Sequence, residues 1–199
     1  MLIVEGPDGS GKTTLIRRLS QDLRIPIAPK VVASDMTPLV DLAKWTEENT
    51  AKGFQRRLFD RHRLISEPIY GPATKTRQDP RFSDLGWLQE QMMLFYASRP
   101  LIVYCLPPLE FVRENVARVE SDNEAVAGRI GAIYAGYVSR WAIDGTQGVG
   151  RLYNYRTTRY EEILGWYNIH LKNRPIGGFQ SDDHAAVDPG RRLLEHRAH

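Results

Sequence analysis

The segment Gly6-Pro7-Asp8-Gly9-Ser10-Gly11-Lys12-Thr13 constrains this chain more than any other. Its spacing is GxxxxGK[ST]. It lies between a short apolar run, Leu2 to Glu5, and TTLIRRLSQDL, where Leu15, Leu19 and Leu23 recur at helical intervals. The order is strand, glycine-rich loop, helix. Glycines let the backbone curl until successive N–H groups point inward, and the helix opening near Lys12 adds the positive end of its dipole. Such a loop cradles phosphate oxygens. Lys12 brings a mobile charge to β and γ phosphates, and the Thr13 hydroxyl is suited to ligate Mg²⁺. The bland alternative, a plain glycine-rich turn, leaves the Lys-Thr pair at the helix start without a purpose.

Further along, strand-like and helix-like segments alternate. Ile27 to Ala33 reads as a second strand, followed by a helix opening at Thr37-Pro38 with proline at its first position. Arg57 to Asp60 is a short third strand. From Asp84, Leu85, Leu88, Met92 and Phe95 share one helical face that leads to Pro100. LIVYCL, residues 101 to 106, has no charge and reads as a strand buried on both faces. Leu109, Val112, Val116 and Val119 form one helical stripe, and Val126, Ile130, Ile133, Tyr137 and Trp141 a longer one. A last strand near Arg151 to Tyr155 precedes a helix from about Thr158 to Leu171. The alternation predicts an α/β fold with a doubly wound, mostly parallel sheet of five strands. Residues 1–172 read as one domain. Residues 173–199, which open on Arg174-Pro175 and end in RRLLEH, read as a mobile extension whose histidines, His184, His196 and His199, fit no metal-ligand template.

Composition sets the setting. With 199 residues, 42% of them hydrophobic, the chain can bury a core without metal or disulfide staples. Its one cysteine, Cys105, cannot form an internal disulfide and suggests a reducing compartment. No apolar run has the roughly 20 residues that span a bilayer, and MLIVEG is no signal peptide, so a cytoplasmic protein with no membrane partner is expected. A formal charge of +3 admits a polyanionic partner without requiring one.

A second chemical motif lies in DRHRLISEPIYG, Asp60 to Gly71. Asp60 follows Leu58-Phe59 and should emerge at the carboxyl end of a strand, where a carboxylate can hold Mg²⁺ directly or through water. Arg61 would then face the phosphates, where its fork can bridge donor and acceptor oxygens. A strand-end salt bridge is the plainer reading. Ser66, Glu67 and Tyr70 either line an acceptor pocket or serve the fold, Glu67-Pro68 by ending a helix and Tyr70 by packing in the core.

EGPDGSGKTT resembles the P-loop of the thymidylate kinase and deoxynucleoside kinase superfamily, and the Asp-Arg pair followed by Ser and Tyr resembles that superfamily's second motif. The likeness extends in element order over about residues 1 to 170. It implies the P-loop nucleotide kinase fold, ATP and Mg²⁺, and phosphoryl transfer to a nucleoside-type acceptor. It assigns Gly6, Asp8, Gly9, Ser10, Gly11, Lys12, Thr13 and Thr14 to ATP, Thr13 and Asp60 to the metal, and Lys12, Asp60 and Arg61 to catalysis. It also implies a lid, at about residues 113–129, with Arg118 reaching the nucleotide. Arg113 and Arg129 accompany it, but Glu120, Asp122 and Glu124 dilute the charge.

The chain departs from thymidylate kinases in ways that bear on the acceptor. ASDMTP replaces their Arg-Glu-Pro-Gly-Gly stretch, and the interval from Asp35 to Asp60 has room for one helix where they have two, so the thymine-reading helix is expected to be missing. Asp35 stands where deoxynucleoside kinases resemble one another in having a Glu that takes a proton from the sugar hydroxyl. A hydroxyl acceptor needs such a base, whereas a nucleotide phosphate is already an anion. Alternatively, Ser34-Asp35 caps the helix at Thr37-Pro38. Lys75, Arg77 and Arg81 near Phe82 form either a contact to phosphate or DNA backbone, or a solvated loop. Trp45, Phe54, Tyr70, Phe82, Trp87, Phe95 and Tyr96 include candidates for stacking on a base. Three functions remain: a kinase for a hydroxyl of a thymidine-like acceptor, with 5-hydroxymethyluracil in DNA the preferred case; a dTMP or other deoxynucleoside monophosphate kinase; and a nucleotide-binding switch or ATPase module. The oligomeric state, including a homodimer, stays open.

Overall fold

The computed structural model describes residues 1–28, 57–74, 80–118 and 124–173. Asp35, the Thr37-Pro38 helix start, Trp45, Phe54, Lys75, Arg77, residues 119–123 of the expected lid and residues 174–199 of the C-terminal extension lie outside these residues, as does the Arg81 side chain.

Four strands, β1 (Leu2–Glu5), β2 (Leu58–Asp60), β3 (Leu101–Cys105) and β4 (Gly150–Tyr153), form a sheet in the order β2-β1-β3-β4. Every pairing is parallel, with Val4 opposite Asp60 and Glu5 opposite Tyr104. The carboxyl ends of β1 and β2 therefore lie side by side. All residues of β1 and β3 are buried, as their near-unbroken apolar sequences require of central parallel strands. Of the expected second strand only its start is described: Ile27 forms a parallel bridge with Leu58, and the Ala28 N–H donates to the Leu58 carbonyl at 2.8 Å. The sheet of the described residues thus has four strands and the beginning of an edge where a fifth was expected.

Strand residues alternate between two cores. Leu2, Val4, Leu58, Leu101, Val103 and Cys105 pack against Leu15, Ile16 and Leu19 of α1 (Lys12–Leu23) and Tyr160, Ile163 and Tyr167 of α7 (Tyr160–Lys172). On the other face Ile3, Phe59, Ile102 and Tyr104 meet residues of α2 (Arg63–Thr74), α3 (Leu85–Ala97), α4 (Leu109–Arg118), α5 (Glu124–Ala127) and α6 (Ile130–Thr146). The period of two along each strand assigns side chains to opposite layers. Cys105 is fully buried in the first core, and burial pushes its thiol up to about 12.

Two expectations are corrected. Pro68 does not end a helix: α2 continues through Pro68 and Pro72 to Thr74. Leu64 and Ile65 are fully buried, and Ile69 and Tyr70 pack on the same core, so burial of this face outweighs the roughly 3 kcal/mol a helix-interior proline costs. The stripe from Val126 to Trp141 is two helices. They meet at Gly128 and Arg129, where the Arg129 N–H closes a turn on the Val126 carbonyl. Asp84 caps α3, its Oδ1 accepting from the N–H groups of Gly86 and Trp87 at 2.9 and 3.1 Å. Among the described residues, no helix is long and apolar enough to cross a membrane.

Candidate active site

The loop leaving β1 curls through three glycines of positive φ, at 140° for Gly6, 75° for Gly9 and 85° for Gly11. A Cβ on Gly6 would lie 2.5 Å from the Cys105 carbonyl oxygen, and one on Gly9 would lie 2.8 Å from that of Val112. Side chains at these positions would collide with backbone, so the glycines are needed for the shape as well as the dihedrals. Asn115 of α4 braces the curl by donating from Nδ2 to the Gly9 carbonyl at 2.8 Å. The Tyr155 ring lies against Gly11. Neither contact is suggested by the motif, because Asn115 is 106 residues from Gly9 in sequence.

Lys12 is 6% exposed and folds back onto its own loop, donating to the Pro7 carbonyl at 2.7 Å. Burial first, and then Arg61, lower its pKa to about 7. Thr13 and Thr14, by contrast, face outward in the first turn of α1.

The second motif is locked to the first through β1. Asp60 ends β2 beside Val4. The Arg61 N–H donates to the Val4 carbonyl at 3.0 Å, and the His62 N–H donates to Glu5 Oε1 at 2.6 Å. Between these anchors Arg61 adopts φ 69°, a left-handed conformation that is uncommon outside glycine. The turn sends its guanidinium over the loop. Nη2 donates to Asp8 Oδ1 and to the Tyr70 hydroxyl, each at 2.6 Å, and approaches the Gly6 carbonyl at 3.4 Å. Tyr70 completes the triangle, accepting from the Asp8 N–H at 3.2 Å and donating to Asp8 Oδ2 at 3.1 Å.

The electrostatics follow from this packing. Burial works to raise the Asp8 pKa, but Arg61 and Lys12 outweigh it and hold the carboxyl below its ordinary value. Burial raises Tyr70, so it stays a neutral phenol. Glu5, fully buried under the loop, is pushed up to about 7 by burial, against the His62 N–H and Arg61. Sequence reading passed over Glu5 and His62. The signal was an ionisable residue in an otherwise apolar strand.

The other expected residues stand apart from this triangle. Ser66 Oγ donates to the His62 carbonyl at 3.3 Å, and Glu67 pairs with Arg63 at 3.0 Å, so both serve α2. Arg118 is exposed on the last turn of α4, with Glu114 at 3.7 Å, and makes no hydrogen bond to the loop among the described residues.

The cradle fits a polyphosphate. Beyond the glycine curl, two buried donors, Ser10 Oγ and Arg61 Nε, have no hydrogen-bond partner among the described residues, and Lys12 and Arg61 supply charge. Among the described residues no three His, Cys, Asp or Glu side chains converge on a metal position. A Mg²⁺ ion here would be shared among Thr13, Asp60, water and the phosphates, the usual pattern for that ion.

No protein-family model matches the chain, and a search of curated proteins gives no match. Among solved structures, deoxyadenosine kinase from M. mycoides with bound dCTP is similar at a TM-score of 0.58 and 16% identity, covering 85% of this chain and all of that one. The same enzyme with bound dATP gives 0.57 and 13%, over 84% and 98% of the two chains. The YorR protein of Bacillus subtilis, in complex with phosphorylated GDP, gives 0.54 and 18%, over 86% and 95%. At these identities the likeness shows the fold, an α/β arrangement with a parallel sheet like that of nucleoside kinases.

Proposed function

We propose that the chain is a P-loop phosphotransferase that moves the γ-phosphoryl group of ATP, with Mg²⁺, to a hydroxyl of a nucleoside-type acceptor. The observation that carries this reading is Arg61: pinned by β1 on both sides, it is held in a left-handed turn so that one guanidinium nitrogen reaches Gly6, Asp8 and Tyr70 together. A rigid cation that touches the phosphate cradle and a polar pair beside it is suited to bridge donor and acceptor as charge spreads over the transferring group. A simple nucleotide switch has no use for that arrangement. The likeness to a deoxyadenosine kinase supports a nucleoside over an unrelated acceptor.

In this reading Gly6 to Thr13 hold the phosphates, with Lys12 drawn from the Pro7 carbonyl onto them. ATP supplies the group transferred; Thr13 and Asp60 would hold a Mg²⁺ ion, which would supply charge neutralisation there. The acceptor oxygen attacks phosphorus, the bond to the bridging β–γ oxygen breaks, ADP leaves, and the acceptor proton passes to a carboxylate, for which Asp35 is our assignment. Tyr70 and Asp8 orient the acceptor. The preferred acceptor is the hydroxyl of 5-hydroxymethyluracil in DNA, with Lys75, Arg77 and Arg81 on the backbone. This choice rests on sequence alone.

Incubation with γ-labelled ATP and, separately, thymidine, deoxyadenosine, dTMP and hydroxymethyluracil-containing DNA tests both levels. Label on a hydroxyl supports the assignment. Label on dTMP alone would make the protein a nucleotide kinase, and ATP hydrolysis without transfer would make it an ATPase.

A further inference from the structure

At the end of the sheet opposite the phosphate cradle, the amino ends of β3 and β4 and the carboxyl ends of α3, α6 and α7 enclose a cavity of about 450 Å³. That volume lies in the range of small-molecule sites. Its lining includes Arg99, Arg151 and His170, two aromatic side chains, Tyr96 and Trp166, and the amide of Gln147, and among the described residues it holds no aspartate or glutamate. The cavity is therefore cationic with aromatic walls.

Among the described residues neither arginine has a carboxylate partner. Arg151 Nη1 donates to the carbonyls of Gly148 and Gly150 at 3.2 and 2.9 Å, which orients the group but leaves its charge. Arg99 enters no ion pair among the described residues. Its backbone is left-handed, with φ 47°, held by an N–H bond to the Tyr96 carbonyl. This is the left-handed conformation in which helices commonly end, and it turns the chain from α3 toward β3.

The cavity is also connected to the cradle. The Tyr96 hydroxyl donates to buried Asp144 at 2.6 Å, and Asp144 accepts from the Tyr104 hydroxyl as well. Tyr104 is the register partner of Glu5, the last residue before the loop.

We propose that this cavity is a second, effector site for a nucleotide-class anion, with the phosphate on Arg99 and Arg151 and the planar base against Trp166 and Tyr96. Guanidinium groups pair with phosphate oxygens, and aromatic faces accept any base. A ligand engaging Tyr96 shifts the Asp144–Tyr104 pair at the root of the cradle, and by linkage each ligand alters the affinity of the other.

The test is to titrate AMP into the full chain while following the Trp166 indole N–H resonance, assigned with Trp166→Phe. A saturable shift is expected in the native protein and in Lys12→Ala, where the cradle is disabled. The shift should be lost in Arg99→Gln, which alters an exposed side chain, and in Arg151→Gln. Absence of a saturable Trp166 response at millimolar AMP overturns the site, as does a response that Arg99→Gln leaves unchanged. Saturating AMP should change the dissociation constant of a non-hydrolysable ATP analogue at least fivefold in the native protein and leave it unchanged in Arg99→Gln, whereas direct competition at the cradle would act equally on both. An unchanged constant would overturn the effector role. These outcomes are read by binding, so they do not depend on which acceptor the kinase uses.

Discussion

The two faces of the sheet are built to different specifications. Toward α1 and α7 the strands present Leu2, Val4, Leu58, Leu101, Val103 and Cys105, an apolar set that meets apolar partners. Toward α2 and α6 the same strands present Glu5 and Tyr104, and the helices answer with Tyr70, Tyr137 and Asp144. One face is held mainly by apolar burial, with the Arg18 guanidinium 3.7 Å over the Tyr160 ring at its edge. The other holds buried polar groups that must be paired, and it reaches the carboxyl edge where Arg61 meets the loop. The difference shows that a central strand can stabilise through one row of side chains and position chemistry through the other, because neighbouring residues never share a face.

The largest effect that would sharpen this contrast is Asp144→Ala. Asp144 is fully buried and accepts from Tyr96, Tyr104 and Arg140 Nε, the last at 3.1 Å. Its removal should cost about 4 kcal/mol by denaturant unfolding, since it strands a cation and two hydroxyls. A loss below 1 kcal/mol would mean that the polar face is as forgiving as the apolar one. On that apolar face Leu19→Ala should cost about 3 kcal/mol of stability and leave turnover of the folded protein intact. Lost turnover at full folding would break the division of labour. Lys12→Ala should do the reverse, lowering phosphoryl transfer at saturating Mg²⁺ by about 3 kcal/mol, on the order of a hundredfold, without lowering the melting temperature, because it removes a buried charge.

A smaller effect is read in pH. The Lys12 amine has its pKa depressed to about 7 in the free protein, and bound phosphate requires it charged. Below pH 7 the proton is already present; above pH 7 binding must take one up. ATP affinity should therefore weaken about tenfold per pH unit above 7, and the slope should vanish in Lys12→Ala. A slope shared by both proteins would assign the titration elsewhere. The smallest expected change is Tyr70→Phe, which removes the hydroxyl that accepts from Arg61 and from the Asp8 N–H and donates to the Asp8 carboxylate. It should lower kcat/KM about fivefold, roughly 1 kcal/mol, with stability little changed. No kinetic change would reduce Tyr70 to a core residue.

The glycine-rich loop, the helix after it and the buried strands could be read directly from residue order, because local spacing and apolar periodicity carry them. Three features came only with the tertiary structure. Pro68 and Pro72 lie inside α2 because Leu64, Ile65 and Ile69 have a core to enter, which no local propensity reveals. Asn115 supports Gly9 across 106 residues, and the Glu5–His62 bond crosses 57. Most decisively, Asp-Arg-His names a motif but not its geometry. The left-handed turn of Arg61 exists because Val4 and Glu5 bind its flanking N–H groups, and those partners come from parallel pairing between segments more than fifty residues apart. Periodicity is written into neighbouring residues, whereas strand register and buried polar pairing are settled only when distant segments compete for the same space and the same hydrogen bonds.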